Sequence, residues 1–129
     1  MSAGAEFIAR PVGIVASDNG APDAKDWACV VAAGMVSVDP DMTEERRGWA
    51  RVCRQRMIGV LIDAFHEARA GTSKQEIMST AASAAERCRA VFAGTPWEFH
   101  VGTPYVRAEF ERYLMVNLAQ AAHTNLVME

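Results

Sequence analysis

Residues 43–93, TEERRGWARVCRQRMIGVLIDAFHEARAGTSKQEIMSTAASAAERCRAVFA, decide the fold. In the first half, Trp49, Val52, Cys53, Met57, Val60, Leu61, Ala64, Phe65 and Ala68 recur three and four residues apart, which lays them along one stripe of a helix. Ile58 and Ile62 widen that stripe, so the helix is expected to touch more than one neighbour. Thr43 is suited to accept a free first-turn amide, and Glu44 and Glu45 sit where the helix dipole favours negative charge. Asp39-Pro40 offers a competing start one turn earlier. Gly71, after Arg69-Ala70, stands where a left-handed cap is wanted, giving a helix of about 27 residues and about 40 Å.

A second helix opens at Ser73-Lys74-Gln75-Glu76, where serine and glutamate have the spacing of a capping box. It runs through Ile77, Ala81, Ala84, Ala85, Cys88, Val91 and Phe92 and stops at Gly94, with Pro96 beyond. A fold-back at Gly71 makes an antiparallel hairpin over 43–93 in which Met57, Leu61 and Phe65 face Cys88, Ala84 or Ala85, and Ala81. Large residues would then meet small ones, as close helix packing requires.

The remaining segments arrange themselves around this hairpin. Residues 1–21 read as an extended arm and turn: Phe7 to Ala16 is rich in branched residues but broken by Pro11 and Gly13, and Ser17-Asp18-Asn19-Gly20-Ala21 is turn chemistry. Residues 22–34 favour a short helix from Pro22 through Trp27, Val30 and Val31, closed by Gly34, over a rival pair of short strands at 27–31 and 35–38. An aromatic connector, 94–103, holds Gly94-Thr95-Pro96-Trp97, which is repeated as Gly102-Thr103-Pro104-Tyr105; each copy places a capping threonine before a proline. A third long helix follows over 104–124. Val106, Phe110, Leu114 and Ala121 mark one side of it, and Tyr105, Met115, Leu118, Ala119 and Ala122 another. Apolar over so much of its girth, it is expected to be central or to form a subunit interface.

Composition bounds the function. A chain of 129 residues, half hydrophobic and 22% charged, has enough apolar material for one domain with a real core. A net charge of −3 argues against a surface devoted to nucleic acid or anionic membrane. No stretch approaches the roughly 20 apolar residues of a membrane span, and Glu6 with Pro11 and Gly13 spoils any reading of the first residues as a secretory signal. Three cysteines suit reduced thiols, although Cys53 and Cys88 fall near each other in the hairpin. The expectation is a soluble cytoplasmic protein.

Four constellations bear on chemistry. Arg46, Arg47, Arg51, Arg54 and Arg56 crowd the first helix, and Arg47, Arg51 and Arg54 share one flank suited to an acidic protein surface or to phosphates. Asp63, His66 and Glu67 lie within one turn but lack the second histidine of a zinc helix, so a solvated face explains them. The cysteines lie in apolar runs without a hydrolase signature. Trp97, Phe99, His100 and Tyr105 concentrate aromatic character in the connector, as a plug for the bundle's end or as a contact surface. No phosphate loop or dinucleotide fingerprint is present, and no cofactor or metal is implied.

These readings converge on a mainly α protein: a bundle of three or four helices on a long antiparallel hairpin, with a short extended N-terminal segment. The expected function is a non-enzymatic interaction protein, an adaptor, inhibitor or assembly subunit. Its partner-binding residues would be Arg47, Arg51, Arg54, Trp97 and Tyr105, set against an acidic protein surface. The alternative is a nucleic-acid-binding regulator using the same arginines. Self-association through the third long helix or the alanine-rich second one is a further expectation.

Overall fold

Four α-helices and one 3-10 turn make up most of the described chain: α1 (Ala24–Met35), α2 (Glu44–Ala70), α3 (Lys74–Ala90), the turn at His100–Gly102, and α4 (Pro104–Val127). The structure, a computed structural model, describes residues 23–70 and 73–127, with residues 123–127 described for their backbone only. The arm and turn of 1–21, Pro22 and the bend at Gly71-Thr72 lie outside the described residues. The chain is mainly helical, a bundle with no strand among the described residues.

Helix starts follow their side-chain chemistry. The Thr43 hydroxyl oxygen accepts the Arg46 amide at 3.2 Å, so α2 begins at Glu44; Asp39 instead accepts the Asp41 amide at 2.9 Å and holds Pro40 in a turn ahead of the helix. At α3 the Ser73 oxygen accepts the Glu76 amide at 3.1 Å, and its hydroxyl donates to the Glu76 carboxylate at 3.3 Å. Beyond Ala90 the chain tightens into three-residue turns, with the amides of Val91, Phe92 and Ala93 donating to the carbonyls of Cys88, Arg89 and Ala90. Gly94 then takes the left-handed conformation, φ 80°, four residues past the end of α3.

α2 touches all three other helices, and α1 meets α4 only narrowly. Trp27 of α1 lies against Phe65 of α2, ring centroids 5.3 Å apart, while Arg54 of α2 reaches back to Val36 just past α1. Between α2 and α3, Arg56 contacts Val91, Asp63 contacts Arg87 and Glu67 contacts Thr80. Partner numbers fall as α2 numbers rise, so α2 runs opposite to both α1 and α3. Ala50, Cys53, Met57, Leu61, Ala64, Phe65 and Ala68 of α2 are buried against Ile77, Ala81, Ala84, Ala85 and Cys88 of α3 and the inner faces of α1 and α4. Val52 falls outside this set: it stands on the outer face, 39% exposed.

Residues 27–31 are helix rather than the rival strand, but the expected stop at Gly34 is corrected: the helix passes through it to end at Met35, with Val36 as cap. Gly34 serves a different need, because the Tyr113 side chain of α4 lies against it. A Cβ at Gly34 would overlap the Tyr113 hydroxyl and stand 2.8 Å from Tyr113 Cζ. On α4, which runs to Val127, the buried set is Val106, Phe110, Tyr113, Leu114, Asn117, Leu118, Ala121 and Ala122. Tyr105 points outward instead, 58% exposed. Asn117 is an oddity of this core: its Nδ2 donates to the Tyr113 carbonyl at 3.0 Å, but its wholly buried Oδ1 has no partner among the described residues. Such an acceptor costs stability of order 1–3 kcal/mol.

Gly34 and Gly59 give a paired prediction. Among the described residues, no atom beyond the helix's own nearby backbone lies within 4 Å of a Cβ built at Gly59, so Gly59→Ala raises stability by about 1 kcal/mol through helix propensity. Gly34→Ala lowers it by about 1–3 kcal/mol through overpacking, and Tyr113→Phe recovers part of that loss. Urea unfolding of dilute protein checks both signs; a stabilising Gly34→Ala would contradict the close approach.

Candidate binding surface

The arginines of α2 meet backbone carbonyls at the places where helices end or turns begin. The last carbonyls of a helix lack intrahelical amides and carry the negative end of its dipole, so a guanidinium is a fitting donor there. Arg54 donates from Nε to the Val36 carbonyl at 2.6 Å and from Nη2 to the Ala33 carbonyl at 3.3 Å, closing the end of α1. Arg47 donates from Nη1 to the carbonyls of Pro40 at 2.9 Å and Met42 at 2.8 Å, fixing the turn that leads into its own helix. It also sits 3.6 Å from the Glu44 carboxylate. Arg56 donates to the Val91 carbonyl at 2.9 Å, where α3 ends. The Arg46 guanidinium lies over the Trp97 ring, 6.0 Å from its centroid.

Arg47, Arg51 and Arg54 do share one flank, but it is the flank against α1 and its connector. Arg54 is half-buried there; burial first, and the neighbouring Arg51 second, lower its pKa below the ordinary value. Arg51 alone of the three is exposed, with no hydrogen bond or ion pair among the described residues.

The two threonine-proline copies of the connector are built alike. The Thr95 hydroxyl donates to the Phe92 carbonyl at 2.7 Å and accepts the Trp97 amide at 3.3 Å. The Thr103 hydroxyl donates to the His100 carbonyl at 2.8 Å and accepts the Val106 amide at 3.5 Å. Their aromatics diverge. Trp97 is wholly buried, edge-on to Phe92 at 6.2 Å, with Phe110 on the other side of Phe92 at 6.1 Å, so it plugs the end of the bundle and offers a partner nothing. Phe99 is 92% exposed and Tyr105 58%. The outward aromatic is thus Phe99, two residues from the tryptophan; both are apolar, and residue type alone does not tell which turns inward.

The other constellations resolve into structural contacts. Asp63 faces Arg87 at 3.4 Å and Glu67 faces Thr80 at 3.5 Å, both near the surface, and no cluster of three metal-ligating side chains occurs among the described residues. Glu67, Gln75, Glu76, Ser79, Thr80 and Ser83 line an open, polar groove of about 600 Å³ between α2 and α3. All three cysteines are free; Cys53 and Cys88 are buried, whereas Cys29 is exposed on α1, contrary to the apolar run it sits in. Burial pushes the Cys53 thiol up to about 11 and the Cys88 thiol up to about 12, against small opposing effects of Arg56 and Arg87. No helix among the described residues is long and apolar enough to cross a membrane. Comparison with protein families, with curated proteins and with solved structures finds no match to this chain.

Arg54→Ala should cost about 1–3 kcal/mol in urea unfolding, since it leaves two half-buried carbonyls without their charged donor, and Lys at 54 should recover little because an ammonium cannot make the forked contact. Arg51→Ala should change stability by less than about 0.5 kcal/mol. Equal effects at the two positions would contradict the assignment.

For the thiols, one equivalent of a maleimide should react at neutral pH, at Cys29, with Cys53 and Cys88 reacting only on unfolding. Unfolded thiols titrate near about 8.5 and the buried pair at about 11 and 12, so between those values the folded state holds more protons. Stability from this source is complete below about pH 8.5 and falls as pH rises through the folded values. A Cys53→Ala/Cys88→Ala variant should lose less stability over that range than the native chain does; an equal loss would contradict the shifts.

Proposed function

We propose that this chain is a non-enzymatic interaction protein, an adaptor, inhibitor or assembly subunit. It binds an acidic macromolecular surface through Arg51 and the aromatic rim formed by Phe99 and Tyr105. The helical hairpin of α2 and α3 is its scaffold. An intracellular setting suits its three free thiols.

The observation that carries this reading is Phe99. A phenyl ring 92% exposed forfeits the hydrophobic stabilisation of burial, and it stands on a segment whose threonines fix the backbone on either side. An aromatic held in place before contact loses little entropy on binding. Arg51 adds an exposed cation with its donors unengaged among the described residues. Arg47 and Arg54 contribute positive field rather than contacts, because their donors already meet carbonyls. The same engagement disfavours a nucleic-acid regulator, for which several arginines would have to reach phosphates together.

The test is a pull-down from native cells at moderate salt with nuclease present, using wild type, Arg51→Glu and Phe99→Ala/Tyr105→Ala. These positions leave the core untouched, whereas Trp97→Ala would cost about 3–5 kcal/mol and confuse binding with unfolding. A discrete protein held by wild type and lost by the aromatic double variant, with weaker capture by Arg51→Glu, is the expected result. Equal capture by all three forms would overturn it, and capture of nuclease-sensitive material alone would favour phosphate binding.

A further inference from the structure

The face of α2 turned away from the core carries an exposed charge pattern, in which Arg56, Asp63 and Glu67 each make one contact within the chain. Gly48, Val52, Gln55, Gly59, Asp63 and His66 recur three or four residues apart and line one outer stripe, opposite the buried Ala50, Cys53, Met57, Leu61 and Ala64. Charge is segregated along it: Arg51 and Arg56 precede Gly59, and Asp63 and Glu67 follow it, all four exposed. Arg56, Asp63 and Glu67 lie on the same edge, the one toward α3, as their contacts with Val91, Arg87 and Thr80 show.

At the centre of the stripe stands Gly59, which makes room for no other element among the described residues. A glycine within a helix costs about 0.5–1 kcal/mol against alanine, and at Gly48 and Gly59 no atom of the described residues beyond the helix's own nearby backbone lies within 4 Å of the missing Cβ. Gly34, by contrast, makes room for Tyr113. Most of the apolar residues of α3 and α4 from which self-association was expected are buried in the core, and among the described residues no other helix covers the outer stripe of α2 around Gly59.

We propose that a second copy of this chain docks on this face, with the two α2 helices antiparallel and the two-fold axis passing beside Gly59. A two-fold perpendicular to antiparallel helices sets like edges against each other. Arg56 of each copy then meets Asp63 and Glu67 of the other, twice over by symmetry, while Val52 lies across from His66. A parallel pairing would set this edge against the opposite one, bringing Arg51 toward Arg56 and leaving Asp63 across from Ile62, so the charges favour the antiparallel direction. Arg56 keeps its bond to Val91, which engages one of five donors. Asp63 is already near Arg87 but remains largely exposed, so it can accept a second cation.

Sedimentation of the full chain from micromolar to near-millimolar concentration tests this. The expected result is a reversible monomer–dimer equilibrium that weakens with added salt. Arg56→Glu weakens it about tenfold, Asp63→Arg/Glu67→Arg about tenfold, and the combined reversal restores it to within about threefold of wild type. Because Arg56→Glu also removes the contact to Val91, circular dichroism is recorded for each variant. Gly59→Trp, whose Cβ meets no other element within 4 Å among the described residues, abolishes the dimer while helicity is retained. A single monomeric mass across the range overturns the proposal. So does a dimer indifferent to Gly59→Trp, or single reversals that the combined variant fails to rescue.

Discussion

Every helix leaves its last carbonyls without amides of its own, and in this bundle those groups are answered from the side. Arg54 closes α1, Arg56 meets the carbonyl where α3 ends, and Arg47 binds the turn from which α2 itself emerges. All three sit on the N-terminal half of one helix, so α2 acts as a mast to which the ends of its neighbours are tied. The hydrophobic core supplies most of the driving force but little direction; the forked, charged contacts fix where each helix stops against α2. Arg51, one turn from Arg47 and from Arg54, does not share this duty: it is exposed and makes no hydrogen bond among the described residues.

The connector shows how identical local chemistry yields opposite fates. Thr95 and Thr103 make the same two bonds, backward to a carbonyl and forward to an amide. The aromatic after Thr95-Pro96 enters the space beside Phe92 and Phe110, whereas the one after Thr103-Pro104 starts a helix on its outer side. Geometry downstream of the turn, and not the turn itself, decides which ring becomes core. The result is a well-anchored plug with two rings, Phe99 and Tyr105, left in water at its edge.

Much of this fold is legible in the sequence wherever the signal is local. The three-and-four spacing from Trp49 to Ala68, Thr43 and Ser73 as caps, and Pro104 as a first helical residue all mark helices that are present, because those features act through neighbours one turn away. Signals that depend on another helix are not legible. Gly34 looks like a stop because glycine often ends helices, yet its use is to admit Tyr113 from 79 positions further along the chain. The arginine flank looks solvated or sticky because its carbonyl partners, at Ala33 and Val36, are backbone and leave no trace in residue type. Asn117, placed among leucines on α4, has no counterpart in periodicity that would announce a buried amide with an unpaired oxygen. For the candidate surface, Tyr105 and Arg51 are exposed and Trp97 is not, a distinction made by packing alone.

The central claim is that the arginine flank of α2 is internal framework, with Arg51 its one outward member. Nitrogen-15 NMR of the arginine side chains addresses it directly, since each Nε–H reports its own hydrogen bonding and motion. The Arg54 Nε–H should exchange slowly with water and be as rigid as the backbone, held to the Val36 carbonyl, while the Arg51 Nε–H exchanges fast and moves freely. An Arg54 Nε–H as mobile and as quickly exchanged as that of Arg51 would contradict the account.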